Sequence, residues 1–189
     1  MRHCIIYLLG YQGVGKLTIA RAIGQRTEAV LIDNHLTANP VFTAVANDQL
    51  GGIPSSVKDK IDRVRAAVFD AIVEDAPPGL SYILTDVLMD DDLGRRRYTT
   101  VLDLAARRRA PLVPVLLRCD DDEEYERRVT DPERAKLLKQ TDRERSLERR
   151  ATRPLLPVSH ANLLALDVSR MSPVEAARVI LDHVESLTA

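Results

Sequence analysis

The sequence predicts an α/β fold built on a parallel sheet. Three observations carry that reading. Short, continuously apolar runs recur along the chain, as central strands covered on both faces require. Amphipathic helical patterns separate those runs. A glycine-rich loop joins the first run to the first helix.

Residues 4–9 form the first apolar run, which Gly10 ends. A helix is predicted over 15–25, where Leu17, Ile19, Ala20 and Ile23 supply an apolar face. A second short strand spans 29–32 and ends at Asp33, and a short helix is expected within 39–50. Gly51, Gly52 and Pro54 then break the chain. Ser55 or Ser56 is the expected cap of a long helix running to about residue 74. Its apolar positions, Val57, Ile61, Val64, Val68, Ala71 and Ile72, recur every three or four residues.

The third strand starts at Tyr82 and reaches Thr85 and Asp86. Asp90, Asp91 and Asp92 precede the next helix, where negative charge favours a helix start. Arg107, Arg108 and Arg109 stand at its basic end. Residues 112–117 form a fourth strand, and Pro114 inside it argues for a strand edge or a bulge. A helix over about 121–129, a charged segment over 130–153, a last strand over 163–168 and a final helix opened by Ser172 and Pro173 complete the chain. Neither a repeat nor a low-complexity linker interrupts this order, so one domain spanning 1–189 is expected.

The bulk composition excludes several function classes. With 27 basic and 28 acidic side chains, there is no excess charge to coat a nucleic acid or anchor to a membrane. Aromatic residues are 4 % of the chain and Trp is absent, which removes stacking platforms for bases. No apolar run approaches the roughly 20 residues that cross a bilayer. The first strand begins close to Met1, so no secretory leader is expected. Cys4 and Cys119 both lie in or beside apolar runs, as buried free thiols do. A cytoplasmic monomer or homodimer is the resulting expectation.

The residues from Gly10 to Thr18 are the most informative. They run Gly, four residues, Gly15, Lys16, between a strand and a helix. That is the context of a phosphate loop, in which successive backbone N–H groups and a helix N-terminus face phosphate oxygens. Gly10, Gln12, Gly13, Val14, Gly15, Lys16, Leu17 and Thr18 are therefore the candidate nucleotide-binding residues. Lys16 is placed to reach the outer phosphates. The strict pattern has Ser or Thr directly after the lysine, for magnesium, whereas this chain has Leu17 and then Thr18. One step turns about 100° around a helix, so Thr18 does not simply replace the missing hydroxyl.

This loop resembles those of small P-loop kinases: the adenylate kinase, shikimate kinase, gluconate kinase and chloramphenicol phosphotransferase-like proteins. Adenylate kinases also carry threonine one place late. The resemblance covers most of the chain in element order and length, and is sharp from Gly10 to Thr18. It implies a three-layer P-loop nucleoside triphosphate hydrolase fold with a five-stranded parallel sheet, nucleotide-kinase-like, with a small helical lid. It also implies ATP and Mg2+ as cofactors, an acceptor-binding region over 34–76 and a lid over 127–153.

Polar residues at the carboxyl ends of parallel strands lie where such sheets bind ligands. Asp33 stands there after the second strand and is the candidate base toward an acceptor hydroxyl. It also matches the aspartate that many shikimate kinase-like and chloramphenicol phosphotransferase-like enzymes carry. An Asx turn is the alternative. Asn34 and His35 are further acceptor-binding candidates, with Asn39 weaker. Asp86 ends the third strand and is a candidate for magnesium, for the acceptor, for a cap or for a salt bridge. The run at Asp90 needs no metal to explain it. Asn47, Asp48, Gln49, Arg63 and Arg65 lie in the interval that resembles an acceptor region.

The charged segment holds Arg127, Arg128, Arg134, Lys136, Arg143, Arg145, Arg149, Arg150 and Arg153. It reads either as a solvated surface laced with ion pairs or as a lid whose guanidinium forks bind phosphate. Arg127, Arg128 and Arg134 are the catalytic candidates, whereas Arg149, Arg150 and Arg153 are assigned toward the adenine end. His160 and Asn162 are assigned to the base, and Asp167 to structure. The resulting function is transfer of the terminal phosphoryl group of ATP to a small-molecule hydroxyl or phosphate. The alternatives are a nucleoside triphosphatase and a nucleotide-binding regulatory protein. The Asn-Lys-x-Asp pattern of guanine readers is absent.

Overall fold

A computed structural model describes residues 3–45, 52–131 and 142–187. Five strands, β1 (Ile5–Leu9), β2 (Val30–Ile32), β3 (Tyr82–Asp86), β4 (Leu112–Arg118) and β5 (Leu164–Asp167), pair in the order β2-β3-β1-β4-β5, all parallel. The most apolar run, β1, is central, with β3 and β4 on its edges and helices over both faces. Alternation along β1 divides the core. Ile6 and Leu8 pack with α1 (Lys16–Gly24) and α7 (Pro173–Ser186), whereas Ile5, Tyr7 and Leu9 pack with α3 (Ser55–Glu74) and α4 (Asp92–Arg108). The result is the three-layer α/β sandwich that the sequence predicts. A small separate cluster joins α2 (Asn34–Ala44) to the start of α3 through Phe42, Val57 and Ile61. α5 (Asp122–Val129) and α6 (Arg143–Thr152) complete the fold.

The chain terminates its helices largely as composition dictates. Asp91, Asp121 and Asp142 accept the N–H of Gly94, Glu124 and Arg145, capping α4, α5 and α6. Ser172 and Glu175 form a reciprocal capping box at α7. Two expected boundaries differ. The helix after β2 starts at Asn34 rather than at 39, because Asp33 turns the strand directly into it. Pro40 inside α2 withdraws a donor from the Leu36 carbonyl, and Leu36 is 59 % exposed, so water can serve that group. Ser55 and Ser56 do not cap α3. Pro54 holds that position, and its carbonyl accepts from Val57 and Lys58.

Pro114 sits within β4, opposite Tyr7 of β1. The Ile5 N–H bonds to the Pro111 carbonyl, and the Val168 N–H bonds to that of Arg118. Alternation between those points turns Pro114 toward the β5 side, where pairing starts only at Val115. The missing donor therefore falls on a local edge, as expected.

The basic run at the end of α4 hides a structural residue. Arg108 is buried, and its guanidinium donates to the carbonyls of Ile72, Ala76, Pro77, Pro78 and Leu80. It closes the turn that delivers β3 into the sheet. Arg108→Met should lower unfolding stability by roughly 2–4 kcal/mol in chemical denaturation, because those carbonyls lose a charged donor. Arg108→Lys should recover little of it, since an ammonium cannot span the same fork of acceptors.

Candidate active site

The phosphate loop follows the central strand. Gly10 has φ 146, and a Cβ there would stand 2.4 Å from the Leu117 carbonyl oxygen of β4. Gly13 has φ 90, and its Cβ would stand 2.3 Å from Val129 Cγ1 of α5. Both positions combine a backbone region that L side chains avoid with a neighbour at contact. At these two positions the loop passes β4 and α5 at backbone distance. Lys16 Nζ donates to the carbonyls of Gly10 and Tyr11, at 2.7 and 2.8 Å, and so arches across the loop.

A cavity of about 690 Å³ opens over this loop. All of the candidate residues Gln12, Gly13, Val14, Gly15, Lys16, Leu17 and Thr18 line it, and so do Asp33, Asn34, His35, Asp86, Arg127 and Arg128. Gly10 lies beneath the loop as its hinge. Arg134, Lys136, Asn47, Asp48 and Gln49 lie outside the described residues.

Asp33 is buried at the end of β2. The Thr85 hydroxyl donates to its Oδ1 at 2.5 Å, and the Asn34 N–H donates to the Thr85 oxygen at 3.1 Å. Thr85 therefore joins the ends of β2 and β3 and orients the carboxylate. His35 Nδ1 lies 3.1 Å from Asn39 Oδ1, a pair four residues apart on α2. The Asp33 side chain makes no capping bond to α2, so the Asx-turn alternative is not what holds it.

Asp86 is an ion-pair residue. Its Oδ2 accepts from Arg65 at 2.5 Å and from the Tyr7 hydroxyl at 3.2 Å, and its Oδ1 accepts the Val87 N–H at 2.8 Å. Arg65 and Asp86 are 8 % and 2 % exposed. Burial alone would raise the Asp86 pKa, but the charges of Arg65 and Arg97 together with these hydrogen bonds outweigh it and hold the group below its ordinary value. Of the alternatives at Asp86, the salt bridge is the one present, and both carboxylate oxygens have donors. Leu17 offers no hydroxyl, and the described residues contain no group of three or more acids, histidines or cysteines arranged for a metal. Among the described residues, the side chains at this site do not by themselves make a resident metal site.

The arginines sort differently from their expected roles. Arg127 is 71 % exposed and forms a two-point pair with Glu124. Arg128 donates to Glu124, to the Val14 carbonyl of the loop and to the Val168 and Ser169 carbonyls. It braces the loop, α5 and the turn after β5. Hydrogen bonds from both arginines lower the Glu124 pKa to about 2. Arg150 stacks over the Tyr125 ring at 4.5 Å and faces Asp122 at 3.3 Å, which ties α6 to α5.

Arg149 is the exception. It lines the cavity and donates to Gln12 Oε1 of the phosphate loop at 3.3 Å. Burial, reinforced by the nearby charges of Arg153 and Arg145, lowers its pKa. Its assignment to the adenine end is therefore corrected to the phosphate loop. Gln12 Nε2 also donates to Ser146, and the Tyr11 hydroxyl donates to the Arg153 carbonyl just after α6, so three hydrogen bonds seat α6 and its C-terminal end on the loop.

His160 and Asn162 are also corrected. The Asn162 amide donates to the Leu112 carbonyl, at the start of β4, and His160 Nδ1 accepts the Asn162 N–H. Both stand at the amino ends of the strands, opposite the cavity. The wall at that side of the loop is instead Val168, Met171, Ser172 and Pro173, which follow β5. The rule that ligands meet the carboxyl ends of strands was sufficient to find it. Asp167 supports this turn, accepting from Ser169 and from the Asp120 N–H. Thr85 and Arg97 are further lining or positioning residues with no sequence motif of their own.

Known structures share this architecture. A gluconokinase from Sinorhizobium meliloti 1021 matches with TM-score 0.62 and 16 % identity, over 97 % of this chain and 93 % of that one. A sugar kinase from Janibacter sp. HTCC2649 matches with TM-score 0.64 and 19 % identity, over 97 % and 95 %. A shikimate kinase from Aquifex aeolicus vf5 matches with TM-score 0.52 and 13 % identity, over 97 % and 98 %. The chain thus has the fold of the P-loop small-molecule kinases along its whole length. No protein-family model and no curated protein sequence matches it.

Asp86 carries a testable consequence for stability. Asp86→Ala should cost roughly 3–5 kcal/mol in denaturant unfolding, because Arg65 is left charged and buried. Joint replacement by Arg65→Met and Asp86→Leu should cost less than the single change. The folded pKa of Asp86 is depressed, so its stabilisation is complete above the ordinary value of 3.8 and is lost as pH falls through the folded value. Unfolding midpoints measured from pH 6 down to about pH 2 should fall less steeply for the joint variant than for the parent chain.

Proposed function

We propose that the protein is an ATP-dependent phosphotransferase acting on a small molecule. The observation that carries this reading is the convergence of the phosphate loop, Asp33 and Arg149 on one cavity at the carboxyl ends of the strands. The gluconokinase, sugar kinase and shikimate kinase among the structural neighbours support it at the level of fold.

In this reading the loop amides and the start of α1 hold the phosphates of ATP, and Lys16 swings from the Gly10 and Tyr11 carbonyls to the outer phosphates. The base lies along the turn after β5. The acceptor enters between α2, α3 and the loop after β3. Asp33, oriented by Thr85, takes the proton of the acceptor hydroxyl. The acceptor oxygen forms a bond to the terminal phosphorus as the bond to the bridging oxygen breaks, and ADP leaves with that electron pair. Arg149 neutralises charge on the transferring group. Asp86 positions Arg65 at the cavity wall and makes no contact with the reacting atoms. Magnesium enters with the nucleotide as part of the substrate. The use of ATP and two buried thiols support a cytoplasmic setting.

A seated α6 favours transfer over hydrolysis, because a covered phosphate is kept from water. ADP formation measured with and without candidate alcohols separates the two, and acceptor-independent turnover would favour the hydrolase. Lys16→Ala should reduce transfer by a factor of about 100 or more, given that one such donor is worth several kcal/mol in a transition state. Asp33→Asn should leave ATP affinity within about twofold and lower kcat by a factor of about 100 to 10,000, the range of a positioned base. Unchanged acceptor kinetics in Asp33→Asn would remove the base from the mechanism.

A further inference from the structure

Ser146 and Arg149 stand three residues apart on α6 and meet the same side chain of the phosphate loop, Gln12. Gln12 Nε2 donates to Ser146 Oγ at 2.7 Å, and Gln12 Oε1 accepts from Arg149 Nη1 at 3.3 Å. The Ser146 hydroxyl gives its own proton to the Asp142 carbonyl at 2.7 Å, so its oxygen is left to accept. That fixes the amide. Reversed, its carbonyl would face a hydroxyl whose proton is already committed, and its NH2 would face a guanidinium, donor against donor. Ser146 is 1 % exposed and does not line the cavity, whereas Gln12 and Arg149 do.

Other arginines of this segment are held by acids. Arg143 pairs with Glu126, Arg150 with Asp122 and Arg153 with Asp91. Such a partner fixes a guanidinium and offsets its charge at the same time. Among the described residues, Arg149 has no carboxylate at ion-pair distance. A neutral amide holds it instead, which orients the group and leaves its charge to act on a ligand. Gln12 engages the guanidinium at Nη1, and the planar fork suits an oxyanion at two points.

We propose that Gln12 and Ser146 are positioning residues that aim the Arg149 guanidinium at the terminal phosphate of the nucleotide. Ser146 sets the Gln12 amide, and the amide sets Arg149. Gln12 lies between Gly10 and Lys16, so the guanidinium takes its register from the loop that faces the phosphates. Both residues act through Arg149 and make no bond to the reacting atoms. A glutamate at position 12 would reach as far, but it would offset the charge of Arg149 and set a second negative charge beside the phosphates. The proposal rests on the phosphotransferase reading, in which Arg149 faces the transferring group.

The test uses the full chain and compares, by calorimetry, its affinity for adenylyl imidodiphosphate with its affinity for ADP, both with magnesium. The ratio of the two isolates the terminal phosphate. Arg149→Met should lower that ratio by a factor of about ten or more, the weight of a charge-assisted hydrogen bond. Gln12→Ala should lower it about five-fold and Ser146→Ala about three-fold, because an unheld guanidinium has to be ordered when the ligand binds. In the Arg149→Met background, either change should move the ratio by less than about 1.5-fold, since the residue through which both act is gone. Gln12→Glu should lower the ratio at least as far as Gln12→Ala. Circular dichroism should match the parent for Ser146→Ala, which removes one oxygen atom. A ratio indifferent to both Gln12→Ala and Ser146→Ala overturns the proposal. So does a fall in Gln12→Ala that is equally large without Arg149, or a rise in Gln12→Glu. A parent chain that binds neither nucleotide removes the phosphotransferase reading and this proposal with it. The expected cycle without ADP release from ATP and candidate alcohols upholds the positioning role and counts against transfer.

Discussion

The rest of the structure depends on a constraint at the end of β1: its loop has to pass β4 and α5 at backbone distance. The Leu117 carbonyl and the Val129 side chain occupy the places where Cβ atoms of Gly10 and Gly13 would stand. A loop this close to the sheet leaves its other face open to the cavity above it. Because β1 is central, the segments leaving β3, β4 and β5 all meet the same loop. Asp86, α5 and the turn at Val168 are therefore neighbours of the loop as a result of sheet order. Arg128 of α5 then ties the loop and the turn at Val168 to its own helix through the carbonyls of Val14, Val168 and Ser169.

Charge in the site is arranged in two layers. Below the cavity, Arg65 and Asp86 form a buried pair that also engages Tyr7 and the Val87 N–H. A buried pair of this kind contributes little net stability compared with apolar packing, but removing one member strands the other. Its structural effect is to hold a guanidinium in a fixed place at the ends of β1 and β3. Above the cavity, α6 is seated on Tyr11 and Gln12 and delivers Arg149 to the loop. The upper layer carries excess positive charge and the lower one is matched. Asp33, hydrogen-bonded to Thr85, lines the same cavity at the end of β2.

Some of this site was legible in the chain. The phosphate loop was, because its requirements are local: a strand, small residues, a lysine and a helix in order. The place of Asp33 in the cavity wall also followed from its position at a strand end. The arginines were not. Arg127, Arg128 and Arg149 are alike in sequence, each set among acids at helical spacing. One is solvent-exposed and paired, one braces backbone carbonyls and one faces the phosphate loop. Which of these roles an arginine takes depends on what lies six or seven ångströms away at the tip of its side chain, a distance that often belongs to another part of the chain. His160 and Asn162 were placed on the wrong side for a similar reason. Preceding a strand puts them at its amino end, and only the pairing with Leu112 makes that plain.

By itself, the sequence determined the class of fold, the order of its elements and the place of the glycine-rich loop. Those features follow from hydrophobic period, helix-terminal residues and glycine spacing, all of which act within about twenty residues. The tertiary structure alone decided that Asp86 belongs to Arg65, that Thr85 orients Asp33, and that Gln12 meets Ser146 and Arg149. Ion pairing and cavity walls are set by side-chain ends brought together from separate elements. No local pattern along the chain encodes that meeting.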